Sequence, residues 1–157
     1  MKTISLVQPN FQQGPKEFNA YYLPYSVGIL WAYIQKFDHL RTAYQLDQII
    51  WRRDRLSETV DKLYANDVVA FSTYVWNKNY NYELAKQIKA KNPNCIIIFG
   101  GPELPVTDIK IFQRLPFIDY VVKSEGEMIL KDLLERLDNQ QPIAEIKGLL
   151  INQNGEA

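Results

Sequence analysis

Short apolar runs alternate with longer segments of helical period along this chain. The runs are rich in β-branched residues and span Ile4 to Val7, Thr42 to Leu46, Val68 to Phe71, Cys95 to Phe99 and Tyr120 to Val122. Several contain no polar residue, as expected for parallel strands that are covered on both faces. The alternation therefore predicts an α/β fold in which crossover helices connect the strands of a five-stranded parallel sheet.

Apolar residues three and four positions apart predict the helices between these strands. Pro24 can open the first helix, in which Val27, Leu30, Trp31 and Ile34 share one face. Further helices are predicted over Leu56 to Tyr64, around Leu84 to Ile88, around Ile109 to Leu115, and after Ser124 as far as Leu137. Each helix follows a strand, which gives five β/α units.

The last twenty residues read differently from the rest. A polar segment, Asp138 to Pro142, follows the final helix, and Gly148 to Gln153 reads as an extension strand. Asn154-Gly155 is typical of a two-residue hairpin turn, yet only Glu156 and Ala157 remain for a return strand. We therefore expect one domain over residues 1–138, followed over 139–157 by a linker and the start of a hairpin that belongs to a longer chain.

Composition excludes several classes of partner and cofactor. Eighteen Lys and Arg balance eighteen Asp and Glu, so the chain lacks the net positive charge that favours nucleic acids or anionic membranes. No apolar run approaches the roughly 20 residues that span a bilayer. Cys95 is the single cysteine, which excludes an internal disulfide, a multi-cysteine zinc site and a cysteine-ligated cluster within this chain. A cytoplasmic protein with no nucleic-acid or membrane partner is expected.

Candidate site residues lie in the loops after the strands, because ligands of open α/β sheets bind beyond the carboxyl ends of the strands. The glycine-rich motifs of dinucleotide and nucleoside triphosphate sites do not occur in the sequence. Polar uncharged residues stand where a phospho-acceptor protein would carry acidic ones, and the phosphate cradle of a flavodoxin is missing too. What remains is a rim of small polar, glycine and aromatic residues.

Two adjacent glycines and a serine stand at neighbouring strand ends. Without Cβ atoms, Gly100 and Gly101 can let a bulky flat ligand lie against the backbone, or they can form a tight turn before Pro102. Ser72 can offer its hydroxyl to the cleft or cap the following turn. The residues by themselves leave these alternatives open.

Several other side chains have both a functional and a structural interpretation. The aromatic residues Tyr74, Trp76, Tyr80 and Tyr82 can wall a π-rich ligand or an interdomain surface, and interleaved Asn and Lys residues favour their partial exposure. Glu127 follows Ser124 at the spacing of a capping box, which favours a helix start over a catalytic pair with Glu125. His39 is expected on the surface at the end of the first helix.

Five strings carry a resemblance to a known family. They are Gln8-Pro9-Asn10, Tyr22 to Gly28, Phe71 to Asn77, Phe99 to Glu103 and Asp119 to Glu127. In this order, at their strand ends, they resemble the N-terminal cobalamin-binding-type domain of radical SAM proteins. The resemblance implies a flavodoxin-like (Rossmann-like), doubly wound sheet with strand order 2-1-3-4-5 and a C-terminal extension strand.

The resemblance also implies a cofactor site. The nucleotide tail of cobalamin would enter a cleft beside the first and third strands, and the corrin ring would lie over the rim. Ser72 would meet the tail, although Tyr74 replaces the family's leucine, and Gly100 with Gly101 matches the double glycine. The other residues assigned to cofactor binding are Gln8, Pro9, Asn10, Thr73, Trp76, Pro102, Glu103, Glu125 and Gly126. No catalytic or metal-ligating residue is expected in this chain.

One departure concerns the lower axial ligand of cobalt. The mutase and methionine-synthase branch supplies a histidine from Asp-x-His-x-x-Gly, whereas this chain reads Gln8-Pro9-Asn10-Phe11-Gln12-Gln13-Gly14. Bound cobalamin is therefore expected base-off, with no protein nitrogen on cobalt. S-adenosylmethionine and a four-iron four-sulfur cluster would belong to a C-terminal radical SAM domain beyond Ala157.

The function implied is that of a cofactor-presenting domain, not catalytic by itself, in a cobalamin-dependent radical SAM enzyme of the methyltransferase or cyclase type. Its partner would be the radical SAM domain of the same polypeptide. Two alternatives stay open. One is a degenerate domain that has lost cobalamin and acts as an interdomain or protein interaction module through Tyr74 to Tyr82. The other is a flavodoxin-like binder of a small nucleotide.

Overall fold

A computed structural model describes residues 1–15, 17, 20–108 and 110–156 of the chain. The strands in this part are β1 (Lys2–Val7), β2 (Gln12–Gln13), β3 (Ala20–Tyr21), β4 (Tyr44–Ile50), β5 (Val68–Ser72), β6 (Ile96–Gly100), β7 (Tyr120–Val122) and β8 (Leu149–Ile151). The helices are α1 (Tyr25–Ile34), α2 (Asp38–Ala43), α3 (Leu56–Leu63), α4 (Lys78–Lys91), α5 (Ile111–Arg114) and α6 (Gly126–Asp138).

Six strands form one sheet in the order β4-β1-β5-β6-β7-β8. The first five are parallel, and β8 pairs antiparallel with β7. Numbered along the chain, the parallel strands have the order 2-1-3-4-5, so the predicted flavodoxin-like topology is confirmed, and the extension strand is a sixth member of the sheet. The short strands β2 and β3 pair only with each other, inside the β1–α1 connection.

Helices cover both faces of the sheet because the strand side chains alternate between two apolar clusters. Ile4, Val68 and Ile98 point to the face covered by α1, α2 and α6. Val69, Phe71 and Phe99 point to the face covered by α3, α4 and α5. The carboxyl ends of β1, β5, β6 and β7 are thereby left at one edge of the molecule, which we call the rim.

The second parallel strand lies further along the chain than predicted. Thr42 lies in the last turn of a helix instead of starting a strand, and its hydroxyl donates to the backbone oxygens of Asp38 (3.1 Å) and His39 (2.9 Å). The strand then runs to Ile50 because an edge strand tolerates exposed polar residues such as Gln45 and Asp47. An apolar run is therefore a poor guide to this strand.

The helix starts differ from the predicted ones in two places. Pro24 is the N-cap residue of α1, one position before the helix. Glu125 is the N-cap residue of α6, and no side chain caps that helix, so the predicted capping box is wrong. Because α6 begins one residue late, Ser124 lies outside the N-cap position and Glu127 is its second helical residue. The predicted helix start at Ile109 lies outside the described residues.

The segment after α6 returns to the sheet. Ile146 is buried, and β8 extends the sheet beyond β7. The predicted hairpin turn is confirmed by the positive φ angles of Asn154 (57°) and Gly155 (94°) and by the bridge between Gln153 and Glu156; Ala157 lies outside the described residues. No helix in the described part of the chain has the length and apolar character needed to cross a membrane.

Candidate functional site: a cavity at the carboxyl ends of the strands

Small residues on one face of the sheet form a recessed floor. The two-residue period of β5 and β6 directs Ala70, Ser72, Ile98 and Gly100 toward α1 and α6. In the parallel register Ser72 stands beside Gly100, and Ala70 stands beside Ile98. Because three of these four residues have small side chains or none, they leave space between the ends of the strands and the two helices.

The space left above this floor is a cavity of about 280 Å³. Helices α1 and α6 form its roof, and the ends of β5, β6 and β7 form its floor. The lining consists of Tyr25, Ser26, Ile29, Leu30, Ala70, Phe71, Ser72, Tyr74, Ile98, Gly100, Gly101, Val122, Ser124, Gly126, Glu127 and Leu130. The lining is mainly apolar and carries several hydroxyl groups and one carboxylate.

The two adjacent glycines serve different purposes. A Cβ atom on Gly101 would lie 2.4 Å from the carbonyl oxygen of Thr73, and its φ of +112° is rarely adopted by other residues. A Cβ atom on Gly100 would lie 3.7 Å from the nearest atom, Cβ of Val122, which is an ordinary contact. The backbone turn therefore requires glycine at position 101, whereas position 100 contributes open space to the cavity floor.

Asn77 ties together the loops that follow β1 and β5. Its buried amide donates to the backbone oxygens of Pro9 (3.3 Å) and Ser72 (3.1 Å). Its side-chain oxygen accepts a hydrogen bond from the Tyr74 backbone N–H (2.8 Å). This amide therefore holds the two loops together where the strand order reverses, between β1 and β5. The cavity lies beside β5, β6 and β7, so it includes the third parallel strand of the predicted cleft but no described residue of the first.

The loop after β1 is held by its own polar side chains. Gln8 Oε1 accepts a hydrogen bond from the Val27 backbone N–H in the first turn of α1 (3.2 Å). The Asn10 amide donates to the backbone oxygens of Tyr22 (2.9 Å) and Leu23 (3.0 Å). Both side chains are buried, so their amides position the start of α1 over the floor.

Tyr74 connects the two sides of the cavity. Its hydroxyl lies 2.6 Å from the hydroxyl of Ser26 on α1. Its ring stacks on Trp76 with centroids 4.6 Å apart and an interplanar angle of 8°. The Trp76 indole N–H donates to Asn10 Oδ1 (3.2 Å), which ties this stack to the loop after β1. The position of the Tyr74 side chain is thus fixed from both ends.

A cluster of aromatic residues stays exposed on the rim. Phe11, Tyr22 and Trp76 expose 47%, 50% and 36% of their surface. Phe11 contacts the other two rings, with centroids 4.9 Å from Tyr22 and 5.7 Å from Trp76. We call these three residues the rim cluster. An apolar surface of this kind, next to a cavity, is typical of ligand or domain contacts.

The structure separates the predicted site residues into two groups. Those that line the cavity are Ser72, Tyr74, Gly100, Gly101 and Gly126. Those outside its lining are Gln8, Pro9, Asn10, Thr73, Trp76, Pro102, Glu103 and Glu125, and their contact with a cofactor stays a prediction. Ser72 is buried, and its hydroxyl makes no hydrogen bond to a described residue, so it does not cap the following turn.

Two of the four predicted wall aromatics lie on the opposite face of the sheet. The Tyr80 hydroxyl donates to the backbone oxygen of Asp54 (3.1 Å), and the Tyr82 ring packs against Phe99 at 5.6 Å. Burial raises the pKa of both phenols. These residues lie in α4 and pack, partly buried, against the apolar cluster on that face, so they do not wall the cavity.

The cofactor-binding residues predicted from the sequence include only part of the lining. Ser26, Ile29 and Leu30 come from α1, and Ser124, Glu127 and Leu130 come from the α6 end of the cavity. Leu30 and Leu130 were predicted to face inward. The apolar pattern of a helix is the same whether that face packs on the sheet or covers a cavity. The small residues Ala70, Ser72 and Gly100, which lie toward the ends of β5 and β6 on one face, were the signal available in the sequence.

Metal-ligating residues do not gather around this cavity. In the described residues no group of three or more His, Cys, Asp and Glu side chains is arranged to hold a metal ion. His39 lies in α2, half exposed, with Nε2 3.1 Å from Glu135 Oε1. Cys95 is buried in the core beside β6, where desolvation raises the pKa of its thiol to about 12.

An open sheet of order 2-1-3-4-5 with a small-residue cavity at the strand ends defines a ligand-binding domain of the flavodoxin-like class. Residues 40–134 match the profile of the B12 binding domain. The match covers more than half of the chain, which therefore belongs to the B12-binding domain family. The resemblance found in the sequence is confirmed.

Two curated relatives support this assignment. Over 137 residues, 87% of this chain, the sequence is 28% identical to the cobalamin-dependent radical SAM methyltransferase TokK of Streptomyces tokunonensis. The same figures hold for the 2-(S-pantetheinyl)-carbapenam-3-carboxylate methyltransferase of Streptantibioticus cattleyicolor. The match covers 20% of each relative, so the chain spans about a fifth of their length.

A solved structure has the same fold. The radical S-adenosylmethionine methyltransferase TsrM from Kitasatospora setae, with cobalamin and a four-iron four-sulfur cluster bound, aligns with 99% of this chain and 30% of its own. The TM-score is 0.74 and the sequence identity is 19%. At this identity the likeness shows the fold alone.

Proposed function

We propose that this domain binds cobalamin, with the nucleotide tail in the cavity and the corrin ring over the rim. The observation that carries the proposal is the open cavity above Ala70, Ser72 and Gly100. Its volume of about 280 Å³ falls just below the roughly 300–1,000 Å³ of pockets that hold a whole small ligand. A cavity of this size suits one arm of a large molecule whose remainder stays outside.

The lining fits the chemistry of that arm. Leu30, Ile98 and Leu130 offer an apolar surface to an aromatic base, and the hydroxyls of Ser26, Ser72 and Tyr74 offer hydrogen bonds to a sugar. Membership of the B12-binding domain family supports the same ligand. The third interpretation of the sequence was a small nucleotide binder. The described residues of the cavity lining include no phosphate-binding loop, so they do not favour it.

Cobalamin bound here is expected base-off and without a protein nitrogen on cobalt. The only histidine of the chain, His39, lies in α2 and does not line the cavity. In the loop after β1, the Gln8 and Asn10 amides are engaged with the backbone around the start of α1. These contacts support a role for the loop in holding the start of α1 in position over the cavity.

The partner proposed for this domain is a radical SAM domain of the same polypeptide, which would hold S-adenosylmethionine and a four-iron four-sulfur cluster. The relative TokK, a cobalamin-dependent radical SAM methyltransferase, supports this arrangement. Bound cobalamin would supply a cobalt centre able to carry a methyl group, while the residues of this chain bind and orient it. The single, buried Cys95 supports a reducing, cytoplasmic location.

A second candidate function is favoured by the rim cluster. Phe11, Tyr22 and Trp76 expose enough apolar surface to contact another protein domain without any cofactor. On this interpretation the domain keeps the fold, has lost cobalamin, and acts as an interaction module. The two functions differ in whether the cavity takes a ligand.

Titration with hydroxocobalamin, followed by the corrin absorption spectrum, tests the first candidate. We expect saturable binding with a base-off spectrum, and at least tenfold weaker binding of cobinamide, which lacks the nucleotide tail. The variant Ser72→Leu fills the floor and should weaken cobalamin much more than cobinamide. The matched variant Ser57→Leu is remote from the cavity, on α3, and should bind like the wild type. No saturable change up to high micromolar cobalamin would overturn the proposal in favour of the interaction module.

A further inference from the structure

Among the residues that the structure describes, Glu127 is the one charged side chain in the cavity lining. It lies in the first turn of α6 and is half-buried between that helix and the strand ends. It makes no hydrogen bond or ion pair with any residue that the structure describes. A carboxylate without a cation partner, in an otherwise apolar and hydroxyl-bearing cavity, calls for a functional explanation.

The chemistry of this carboxylate restricts what can enter. An ionised carboxylate accepts hydrogen bonds and donates none, so it favours a ligand group with O–H or N–H donors. A hydrogen bond to an ionised carboxylate is stronger than one between neutral groups. The same charge repels an anion, and none of the described lining residues is a Lys or Arg that would offset it.

We infer that Glu127 determines which part of the nucleotide tail occupies the cavity. This inference rests on the proposed binding of cobalamin. The Glu127 carboxylate accepts a hydrogen bond from a donor on the uncharged nucleoside portion, and its charge keeps the phosphodiester outside. The residue thereby selects nucleoside over phosphate and sets the depth to which the tail enters.

A purely structural role for Glu127 predicts something different. Acidic residues in the first turn stabilise a helix through its dipole, and Glu127 occupies such a position. Glu58 occupies the first turn of α3, outside the cavity lining, and makes a distant ion pair with Arg55 at 4.0 Å. Neutralising Glu58 therefore reproduces the helix effect without any effect on the cavity.

The experiment compares Glu127→Gln with Glu58→Gln in the intact chain. The probes are hydroxocobalamin, the free dimethylbenzimidazole riboside and the phosphate monoester of that riboside, each measured by calorimetry or by competition with hydroxocobalamin. The wild type should bind the riboside more tightly than its phosphate. Glu127→Gln should bind the riboside about tenfold more weakly than the wild type does, and should bind the phosphate monoester at least as tightly as the wild type. The preference for riboside over phosphate should therefore fall about tenfold or more. Glu58→Gln should keep the wild-type preference.

The outcomes separate this inference from the proposed function. If the wild type does not bind hydroxocobalamin, both fail. If the wild type binds it and Glu127→Gln keeps the same preference for riboside over phosphate, cobalamin binding stands and the role of Glu127 is overturned. That role is equally overturned if both variants weaken all three probes to the same extent, with equal losses of thermal stability, because that result is the signature of a helix effect.

Discussion

The hydroxyls of Ser26 and Tyr74 lie 2.6 Å apart and join α1 to the loop after β5. Both residues line the cavity, so this hydrogen bond ties its roof to its floor. The Tyr74 ring is held separately by its stacking on Trp76. The hydroxyl can therefore be removed without releasing the ring, which makes the bond accessible to experiment.

Tyr74→Phe should loosen α1 over the cavity. We expect a loss of about 0.5–1.5 kcal/mol in the free energy of unfolding, the usual contribution of one such bond. Cobalamin should associate and dissociate faster, as measured by stopped-flow absorbance. Ser26→Ala should have the same effects, and the double variant should be no worse than either single one. Additive losses in the double variant would show that the two hydroxyls act independently.

The adjacent glycines should respond differently to alanine. Gly101→Ala forces a Cβ atom against the Thr73 backbone at a positive φ, and should cost about 1–3 kcal/mol or more in urea denaturation. Gly100→Ala should cost under about 1 kcal/mol, because its Cβ meets only Val122 at an ordinary distance. It should weaken cobalamin through lost space. Equal stability losses for the two variants would contradict this division of roles.

Asn77→Ala should release the two loops that this residue holds. Two buried backbone oxygens, of Pro9 and Ser72, and the Tyr74 N–H would each lose a partner. We expect a loss of about 2–4 kcal/mol, since an unsatisfied buried polar group costs about 1–3 kcal/mol and Asn81 still donates to Ser72. Urea denaturation measures this loss. The exposed Asn94, changed to Ala, is the control and should cost under about 1 kcal/mol; equal losses would refute the role of Asn77.

Cys95 should make the stability fall at high pH. Burial raises the pKa of its thiol from 9.0 to about 12, so the folded protein retains a proton that the unfolded chain loses. The stabilisation is fully present below about pH 9 and is lost as the pH rises toward about 12. The free energy of unfolding, measured against pH in urea, should therefore decline less steeply above about pH 9 in Cys95→Ala. An identical slope would show that other groups cause the decline.

The sequence predicted the sheet well because its parallel strands are buried on both faces. The runs at β5, β6 and β7 carry almost uninterrupted apolar residues, so their pattern is unambiguous. The edge strand β4 was misplaced because one of its faces meets solvent. Strand order came from the family resemblance, since the apolar pattern of a strand does not specify its neighbours.

The site was predicted only in part. The residues at the ends of β5 and β6 were found because strand ends are where ligands bind in this architecture. The roof was missed because its residues look like ordinary helix core. The role of Asn77 was missed because a buried amide is recognised only when the two loops it connects are known to be adjacent. The place of Glu127 in the cavity lining was missed for another reason, because its spacing from Ser124 is that of a capping box.

The antiparallel direction of β8 has a practical consequence. Leu149 lies beside Val122 at the rim and Ile151 lies beside Tyr120, so the chain runs away from the rim along β8. The Asn152 amide then donates to the backbone oxygens of Pro116 and Ile118, before β7, so the end of the chain leads away from the cavity. Lys2 starts β1 at the amino-terminal end of the parallel strands. If the protein is attached to a sensor chip by a peptide tag at either terminus, the opening of the cavity should therefore stay accessible to a ligand in solution.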